Sequence, residues 1–186
     1  MSSAATAMSQ TVKNLQAAFE GESNAAARYT AFAKKAQDEG YLRVATLFRA
    51  AARAEQVHAA NHAKVITRLG GTPQAEISEI VVGSTADNLA SAKRGEEYER
   101  DVMYPDFIRQ AEVSGETGAL RTFRLAREAE AVHATFYGDA LANLEAQRAA
   151  AVFYVCPVCG EVTDTVDQRS CPICNAPIEK FEVFNS

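Results

Sequence analysis

Residues 126–136 read AREAEAVHATF, an alanine-rich run whose apolar positions recur at helical spacing. Within this run, Glu130 and His133 stand three positions apart. A second run, RAEQVHAAN at residues 53–61, contains the same Glu-x-x-His frame. The chain has only three histidines, and two of them occupy this frame. The repetition indicates that the two frames share one function.

A Glu-x-x-His pair can hold a divalent metal, because residues three apart on a helix lie on one face. One pair alone is weak evidence, since a solvated glutamate beside a partly buried histidine gives the same pattern. The two pairs are related by an internal repeat, however. Residues 48–58 read FRAAARAEQVH and residues 123–133 read FRLAREAEAVH, at an offset of 75. A duplicated helix pair explains this repeat, and it favours a shared metal site.

Glycine and proline divide most of the chain into four long segments that are rich in helix-forming residues. The connections are short, long and short, and the long one reads GGTPQAEISEIVVGST. This order predicts a mainly α fold, a four-helix bundle with one long crossover. Pro105 falls inside the third segment and should kink the helix or remove a hydrogen bond. The predicted helices run from about Ser9 to Gln37, from about Tyr41 to Leu69, from Ser84 or Thr85 to about Val113, and from about Glu116 to Gln147.

Di-iron carboxylate bundles combine two Glu-x-x-His helices with one glutamate from each of the other two helices. The repeat nominates Glu22 and Glu96, at an offset of 74 rather than 75. Tyr29 follows Glu22 by seven residues, so the two share a helix face, but Tyr104 follows Glu96 by eight. One residue wound as a π-bulge would restore the alignment. We therefore predict a π-bulge between Glu96 and Tyr104, which also lets Glu99 enter the site.

The last part of the chain contains two C-x-x-C knuckles separated by eleven residues. In a reducing compartment this spacing indicates a tetrahedral thiolate site rather than disulfides. Zinc and iron both accept four thiolates, so the ligand type leaves a structural zinc ribbon and a redox iron site open. The four predicted ligands are Cys156, Cys159, Cys171 and Cys174.

The motifs GES…RYTAF, AEQVH, GEEYERDVMYP, AEAVH and CPVCG…CPICN, in this order, resemble the rubrerythrin family over nearly the whole chain. The resemblance implies a ferritin-like di-iron domain at residues 1–148 and a rubredoxin-like domain at residues 149–186. It implies two iron ions in the bundle and one iron, alternatively zinc, on the four cysteines. Bridging ligands would be Glu55 and Glu130, and His58 and Glu99 would exchange on one iron with redox state. The implied di-iron ligands are Glu22, Glu55, His58, Glu96, Glu99, Glu130 and His133.

By the same resemblance, the expected reaction is reduction of hydrogen peroxide to water, with Glu99, Tyr29 and Tyr104 as the catalytic residues. Each tyrosine would donate a hydrogen bond to a ligating carboxylate. His62 follows His58 by four residues, and we expect it at the surface or beside a ligand rather than on a metal. Two alternatives remain: ferritin-type iron oxidation and storage, and an electron-carrier or structural metal-binding module without turnover.

The electrons should come from a reduced pyridine nucleotide through an electron-donor protein, a reductase or a rubredoxin, because the chain has no G-x-G-x-x-G motif. From Glu130 to about Gln147 is 17 residues of predicted helix, roughly 26 Å. The tail should then begin far from the di-iron centre of its own chain. A head-to-tail homodimer with electron transfer between chains, which the resemblance also implies, would solve this.

Other classes of protein are disfavoured. The net charge is −5 without a basic block, so we expect no nucleic acid as a partner. No apolar run approaches the roughly 18 residues of a membrane helix, and we expect no membrane partner. The N-terminal residues MSSAATAMSQ lack the pattern of a secretory signal, and we expect a cytoplasmic protein.

Overall fold

The computed structural model describes residues 9–186, so most of the N-terminal segment in which no signal is expected lies outside the described residues. Within the described part, the chain forms five α-helices, one π-helical segment, two 3-10 turns and three strands. The bundle comprises α1 (Gln10–Asp38), α2 (Leu42–Arg68), α3 (Thr85–Tyr98), the π-segment (Glu99–Met103), α4 (Tyr104–Ser114) and α5 (Thr117–Ala142). After it come a 3-10 turn (Leu144–Arg148), β1 (Val152–Val155), β2 (Val162–Thr163), a second 3-10 turn (Ile178–Lys180) and β3 (Glu182–Asn185).

The helices form the predicted four-helix bundle, in which α3, the π-segment and α4 together make the third helix. Helix α1 packs along α2, and the third helix packs along α5. The crossover between α2 and α3 contains neither helix nor strand. The mainly α fold class with one long crossover is thus confirmed. None of the described helices is both long and apolar enough to cross a membrane.

The predicted π-bulge is present as the π-segment, and it explains how the chain accommodates Pro105. The Tyr104 N–H bonds to the Glu99 carbonyl, five residues back. The next such bond would need an N–H at Pro105, which proline lacks. The Arg100 carbonyl that this leaves free accepts a hydrogen bond from Arg127 Nε of α5 at 3.0 Å. Pro105 therefore lies where the α-helical pattern is already interrupted.

The start of α3 is held by two carboxylates. Ser84 and Asp87 form a capping box, each side chain bonding the backbone of the other. Glu39, at the end of α1, accepts hydrogen bonds from the backbone N–H of Thr85 at 2.9 Å and from its hydroxyl at 2.6 Å. Lys35 lies 2.9 Å from the other Glu39 oxygen. The end of one helix thereby fixes the start of the third after the long crossover.

The C-terminal tail is a three-stranded antiparallel sheet with strand order β2-β1-β3. The first cysteine knuckle lies between β1 and β2, and the second lies between β2 and β3. It packs on α2 of the same chain. Arg53 binds both carboxylate oxygens of Glu182, at 2.7 and 2.8 Å. Arg43 stacks on the Phe153 ring with its guanidinium carbon 5.0 Å from the ring centroid.

The expected separation between the tail and the bundle site within one chain is wrong. Helix α5 ends at Ala142 rather than at Gln147, and a 3-10 turn follows. The chain then reverses, because β1 returns along α2 instead of extending the direction of α5. A homodimer stays a prediction, but it is not needed to bring the two parts together.

Replacing Glu39 with glutamine should lower the free energy of unfolding at neutral pH by about 0.5–2 kcal/mol, the range measured for the loss of helix caps. Hydrogen bonds from Thr85, with Lys35 adding, hold the pKa of Glu39 at about 2, below the ordinary 4.5. A lowered folded-state pKa stabilises the protein above the unfolded-state pKa, and this stabilisation is lost as the pH falls through 4.5 towards 2. Urea unfolding should thus show the variant approaching wild type as the pH decreases.

Glu128→Gln, on the exposed face of α5, is the control and should behave as wild type at each pH. A deficit of Glu39→Gln that stays constant over this pH range would contradict the assigned role.

Candidate metal centres

Six of the predicted ligands lie buried in the middle of the bundle and come from four helices. Helices α1 and α3 contribute one glutamate each, and α2 and α5 contribute one Glu-x-x-His pair each. Their exposed fractions are 1% or less. The helical spacing within each pair explains why the carboxylate and the imidazole face the same way. The six are Glu22, Glu55, His58, Glu96, Glu130 and His133.

These side chains form two overlapping groups, each with four potential ligand atoms within 4.8 Å of one another. One group adds Glu22 and His58 to a shared pair of glutamates, and the other adds Glu96 and His133 to the same pair. The shared pair is Glu55 and Glu130, the residues that were expected to bridge two metals. Two adjacent ions held by two common carboxylates would fit this arrangement.

Five polar atoms of the two groups lack a hydrogen-bond partner. Glu22 Oε2, Glu55 Oε1, both Glu130 oxygens and His133 Nδ1 are buried without a hydrogen bond. His133 Nδ1 lies only 2.8 Å from Glu130 Oε2. Two ligands on one metal, each about 2.1 Å from it, have such a separation. Because buried carboxylates without partners are costly, the residues present fit a pair of divalent cations.

The pKa values of the carboxyl groups in the two groups favour the binding of positive charge. Burial, then the charges of Glu99 and Glu55, raises the pKa of Glu22 well above its usual value. Burial and neighbouring glutamates also raise the pKa of Glu96. Burial would raise the pKa of Glu130 too, but the nearby His58 and His133 lower it strongly. Divalent ions would favour the ionised form of every carboxylate here.

Glu99 is the predicted ligand that the structure leaves outside both groups. It is the first residue of the π-segment and is partly buried. Burial and the charges of Glu130 and Glu55 raise its pKa well above the usual value. Its position is that of a group beside the site rather than within ligand distance of the other six.

The two predicted tyrosine contacts are present. Tyr29 donates to Glu96 Oε1 at 2.7 Å, and Tyr104 donates to Glu22 Oε1. Both phenols are buried. Each one therefore fixes a carboxylate that belongs to one of the two groups. The other oxygen of Glu22, Oε2, has no hydrogen-bond partner in the protein.

His62 is fully buried and lies beside Tyr104. Its Nε2 is 3.1 Å from the Tyr104 hydroxyl, and its Nδ1 is 3.1 Å from Thr122 Oγ1. Burial, with His58 adding, lowers the pKa of His62 to about 3, so the ring is neutral. The sequence argument missed Thr122. The internal repeat could have singled out the surroundings of His62, because at the offset of 75 this histidine corresponds to Tyr137 and not to a second histidine.

The tail contacts the two histidines of the predicted ligand set through its backbone, a contact that the sequence did not predict. His58 Nε2 is 2.8 Å from the Cys159 carbonyl, and His133 Nε2 is 3.1 Å from the Gly160 carbonyl. Each carbonyl accepts the N–H at Nε2, so Nδ1 is the ring nitrogen that faces the glutamates. A hydrogen bond on the far nitrogen is the usual way to orient a metal-binding histidine.

Gly160 is the residue that allows this approach. Its φ is +81°, and a Cβ there would lie 2.3 Å from His58 Nε2 and 3.0 Å from the Ala54 carbonyl. Any side chain would thus be strained and would also strike the imidazole.

The four cysteines converge as the knuckle spacing predicts. Their sulfur atoms lie within 4.8 Å of one another, with 3.5 Å between the sulfurs of the first and last and of the middle two. A tetrahedron of thiolates about 2.3 Å from one metal has edges of about 3.8 Å, so the set fits a single ion. Hydrogen bonding with Cys159 lowers the pKa of Cys156 to about 5. Zinc and iron both suit these ligands.

Gly160→Ala should detach the knuckle from the histidines and lower the thermal unfolding midpoint by several degrees, because of the clash and a φ strain of about 1–2 kcal/mol. Gly70→Ala is the matched control: its φ is +82°, but a Cβ there meets nothing within 4 Å. Thermal unfolding of the metal-loaded proteins should show the larger loss in Gly160→Ala. Equal losses would mean that backbone strain alone matters and that the contact with His58 does not.

Comparison with known proteins places these features in a family. The rubrerythrin family model matches residues 13–141. The chain is 39% identical to nigerythrin from Nitratidesulfovibrio vulgaris over 180 residues, covering 96% of this chain and 89% of that protein. It is 36% identical to rubrerythrin from Porphyromonas gingivalis over 181 residues, covering 94% of this chain and 90% of the relative.

Solved structures agree with the sequence comparison. A fully reduced, all-ferrous state of nigerythrin superposes with a TM-score of 0.87 at 36% identity, over 98% of this chain and 91% of that one. A bacterioferritin from Desulfovibrio desulfuricans superposes with a TM-score of 0.69 at 23% identity, which shows a common fold only. On the family match, the identity over nearly the full length and the shared architecture, the chain belongs to the rubrerythrin family.

Proposed function

We propose that the protein reduces hydrogen peroxide to water at a pair of iron ions in the bundle, as a defence against oxidative stress. The observation that carries the proposal is the pair of buried ligand groups that share Glu55 and Glu130. Reduction of one peroxide takes up two electrons and two protons and yields two waters. Bound iron would supply the electrons, one from each of two ferrous ions.

The proposed ligands follow from the two groups. Glu22 and His58 would serve one ion, Glu96 and His133 the other, and the shared glutamates would bridge them. Glu99 lies at the edge of this set, in the π-segment. We propose that it takes the place of His58 when the redox state changes, because a π-segment allows local movement without disturbing the flanking α-helices. A carboxyl group in that position can also pass protons.

The protein residues around the groups exclude water and fix the ligands. Tyr29 and Tyr104 each hold one carboxylate oxygen, and we assign them together with Glu99 to the catalytic set. The backbone carbonyls of Cys159 and Gly160 orient the imidazoles. His58 thus keeps its orientation against the tail, and the partly buried Glu99 is the carboxylate proposed to replace it as a ligand.

The cysteine site is proposed to hold one iron that returns electrons to the pair. The hydrogen bond from His58 Nε2 to the Cys159 carbonyl gives a direct route between a thiolate ligand and a ligand of the bundle. Residues 1–148 would form the di-iron domain and residues 149–186 the rubredoxin-like domain. A reductase or a rubredoxin, drawing on NAD(P)H, would donate electrons to the cysteine site.

A homodimer with electron transfer between chains remains part of the proposal, and a mixing experiment tests it. A tail-deleted chain is combined with a full-length chain that carries Glu55→Ala and Glu130→Ala, which removes both shared ligands. Recovery of peroxide turnover would require that one chain's tail serves the other's bundle. No recovery, with wild-type turnover intact, would favour the route within one chain.

Ferritin-type iron oxidation and storage is the second candidate, because it needs the same bundle ligands. The cysteine site in contact with His58 favours the first candidate, since storage has no use for it.

The metal content and visible spectrum test which metals the protein holds. We expect about three irons for each chain when the protein is made in iron-rich, zinc-depleted medium. The oxidised protein should be coloured by ferric tetrathiolate, and Cys171→Ser should abolish that colour while the bundle iron remains. A colourless protein with one zinc for each chain would leave the tail a structural ribbon and remove its redox role.

Glu99→Ala should slow peroxide turnover by at least about tenfold, because one exchangeable ligand and proton carrier is lost. Iron binding should persist, since the other six ligands are unaltered. The matched control is Glu97→Ala, which removes a glutamate two residues earlier that pairs with Lys93. This variant should reduce peroxide at the wild-type rate. Stopped-flow oxidation of the reduced proteins by peroxide measures the rates of both variants. If Glu99→Ala reacted at the wild-type rate, the proposed exchange would be wrong.

A further inference from the structure

Three hydrogen bonds join the bundle site to a cavity at the protein surface. Thr122 Oγ1 lies 3.1 Å from His62 Nδ1, and His62 Nε2 lies 3.1 Å from the Tyr104 hydroxyl. The Tyr104 hydroxyl in turn donates to Glu22 Oε1. Thr122, His62 and Tyr104 are all buried. The path therefore runs through the protein interior without a break.

The donors of this path all face inwards. An ionised carboxylate only accepts, so the Tyr104 proton points at Glu22. The phenol oxygen then accepts the proton on His62 Nε2. A neutral imidazole carries one proton, which leaves Nδ1 to accept from the Thr122 hydroxyl. One arrangement of hydrogens thus satisfies every member of the path.

The outer end of the path opens on a cavity of about 170 Å³ between α2, α5 and the tail. Thr122 lines it together with Asn61, Arg68 and Arg121. A cavity of this size and polarity has room for several water molecules. Water in it could give a proton to the Thr122 hydroxyl.

The internal repeat provides a built-in comparison, because the equivalent path on the other side is broken. The offset of 75 pairs Tyr104 with Tyr29, His62 with Tyr137, and Thr122 with Leu47. Tyr29 reaches Glu96, but the Tyr137 hydroxyl has no hydrogen-bond partner. Leu47 is buried and apolar. Among residues 9–186, the repeat-related half has no hydrogen-bonded path of this kind, because the chain of bonds stops at Tyr137.

We propose that Thr122, His62 and Tyr104 form a proton relay that leads from the cavity beside Arg68 and Arg121 to Glu22. The inference rests on the proposed function, because peroxide reduction consumes two protons at a site that is closed to water. Thr122 and His62 act through Tyr104 and are positioning residues of the relay.

One transfer moves a proton along each bond in the same direction. Tyr104 releases its proton at Glu22 Oε1 and takes the Nε2 proton of His62. His62 takes the Thr122 proton at Nδ1, and Thr122 takes one from cavity water. Thr122, His62 and Tyr104 each give and take one proton and keep their net charge. Glu22 gains a proton and becomes ionised again when it passes a proton to a peroxide oxygen, while the cavity water takes a replacement proton from bulk solvent. The electrons come separately, from the ferrous pair of the proposed function.

The first test measures exchange of the His62 ring N–H with solvent deuterium, by nitrogen-15 NMR of the full-length protein loaded with zinc. Thr122→Val removes the outer hydroxyl at nearly constant shape and should slow this exchange by at least about tenfold. Thr122→Ser keeps the hydroxyl and should restore the wild-type rate. Tyr137→Phe removes the unpartnered hydroxyl at the repeat-related position and should change nothing.

The second test measures peroxide turnover by the iron-loaded protein in water and in deuterium oxide. Thr122→Val and His62→Gln should each slow turnover by at least about tenfold and alter the solvent isotope effect, whereas Thr122→Ser and Tyr137→Phe should match wild type. His62→Gln keeps hydrogen-bonding groups but cannot pass a proton between two ring nitrogens. His62→Gln also tests the relay if Thr122→Val does not fold.

The outcomes separate the relay from the proposed function. Wild-type exchange in Thr122→Val, wild-type turnover in His62→Gln, or a loss in Thr122→Val that Thr122→Ser does not restore would overturn the relay. If the wild-type protein did not reduce peroxide, the proposed function would fail, and the exchange measurement would still decide whether the path conducts protons.

Discussion

The structure depends on the burial of several carboxylates that have too few hydrogen-bond donors around them. Five side-chain atoms of Glu22, Glu55, Glu130 and His133 are buried without a hydrogen-bond partner. Such a cluster opposes folding unless cations neutralise it, so the apolar residues around it must hold the helices against mutual repulsion. The aromatic cluster of Tyr29, Phe32, Phe48 and Tyr137, with ring centroids 5.4–6.2 Å apart, is part of that support.

Much of the bundle could be predicted from the sequence, because helical spacing and the repeat constrain it strongly. The change of offset from 75 to 74 located the π-segment, since it is a geometric consequence of keeping Glu96 and Tyr104 on one face. The convergence of the ligands followed from the same periodicity. These features depend on residues that are close in sequence or related by the repeat.

The contacts that were missed depend on where the chain turns and on backbone atoms. Asn143 is a weak sign that α5 ends at Ala142, but the alanine-rich stretch after it gives no sign of the direction that the chain then takes, so the return of the tail could not be foreseen. The carbonyls that meet the histidines carry no residue-specific signal. Thr122 is a common helix residue, and its role becomes visible only because His62 lies against it in space.

Gly160 gives the two metal centres a thermodynamic connection. An ion on the cysteines would fix the shape of the knuckle that carries Gly160, and the carbonyls of this knuckle contact the rings of His58 and His133. Linkage is reciprocal, so an ion at either centre favours occupancy of the other. Loading of both centres would then be cooperative, and partially metallated chains would be scarce at equilibrium.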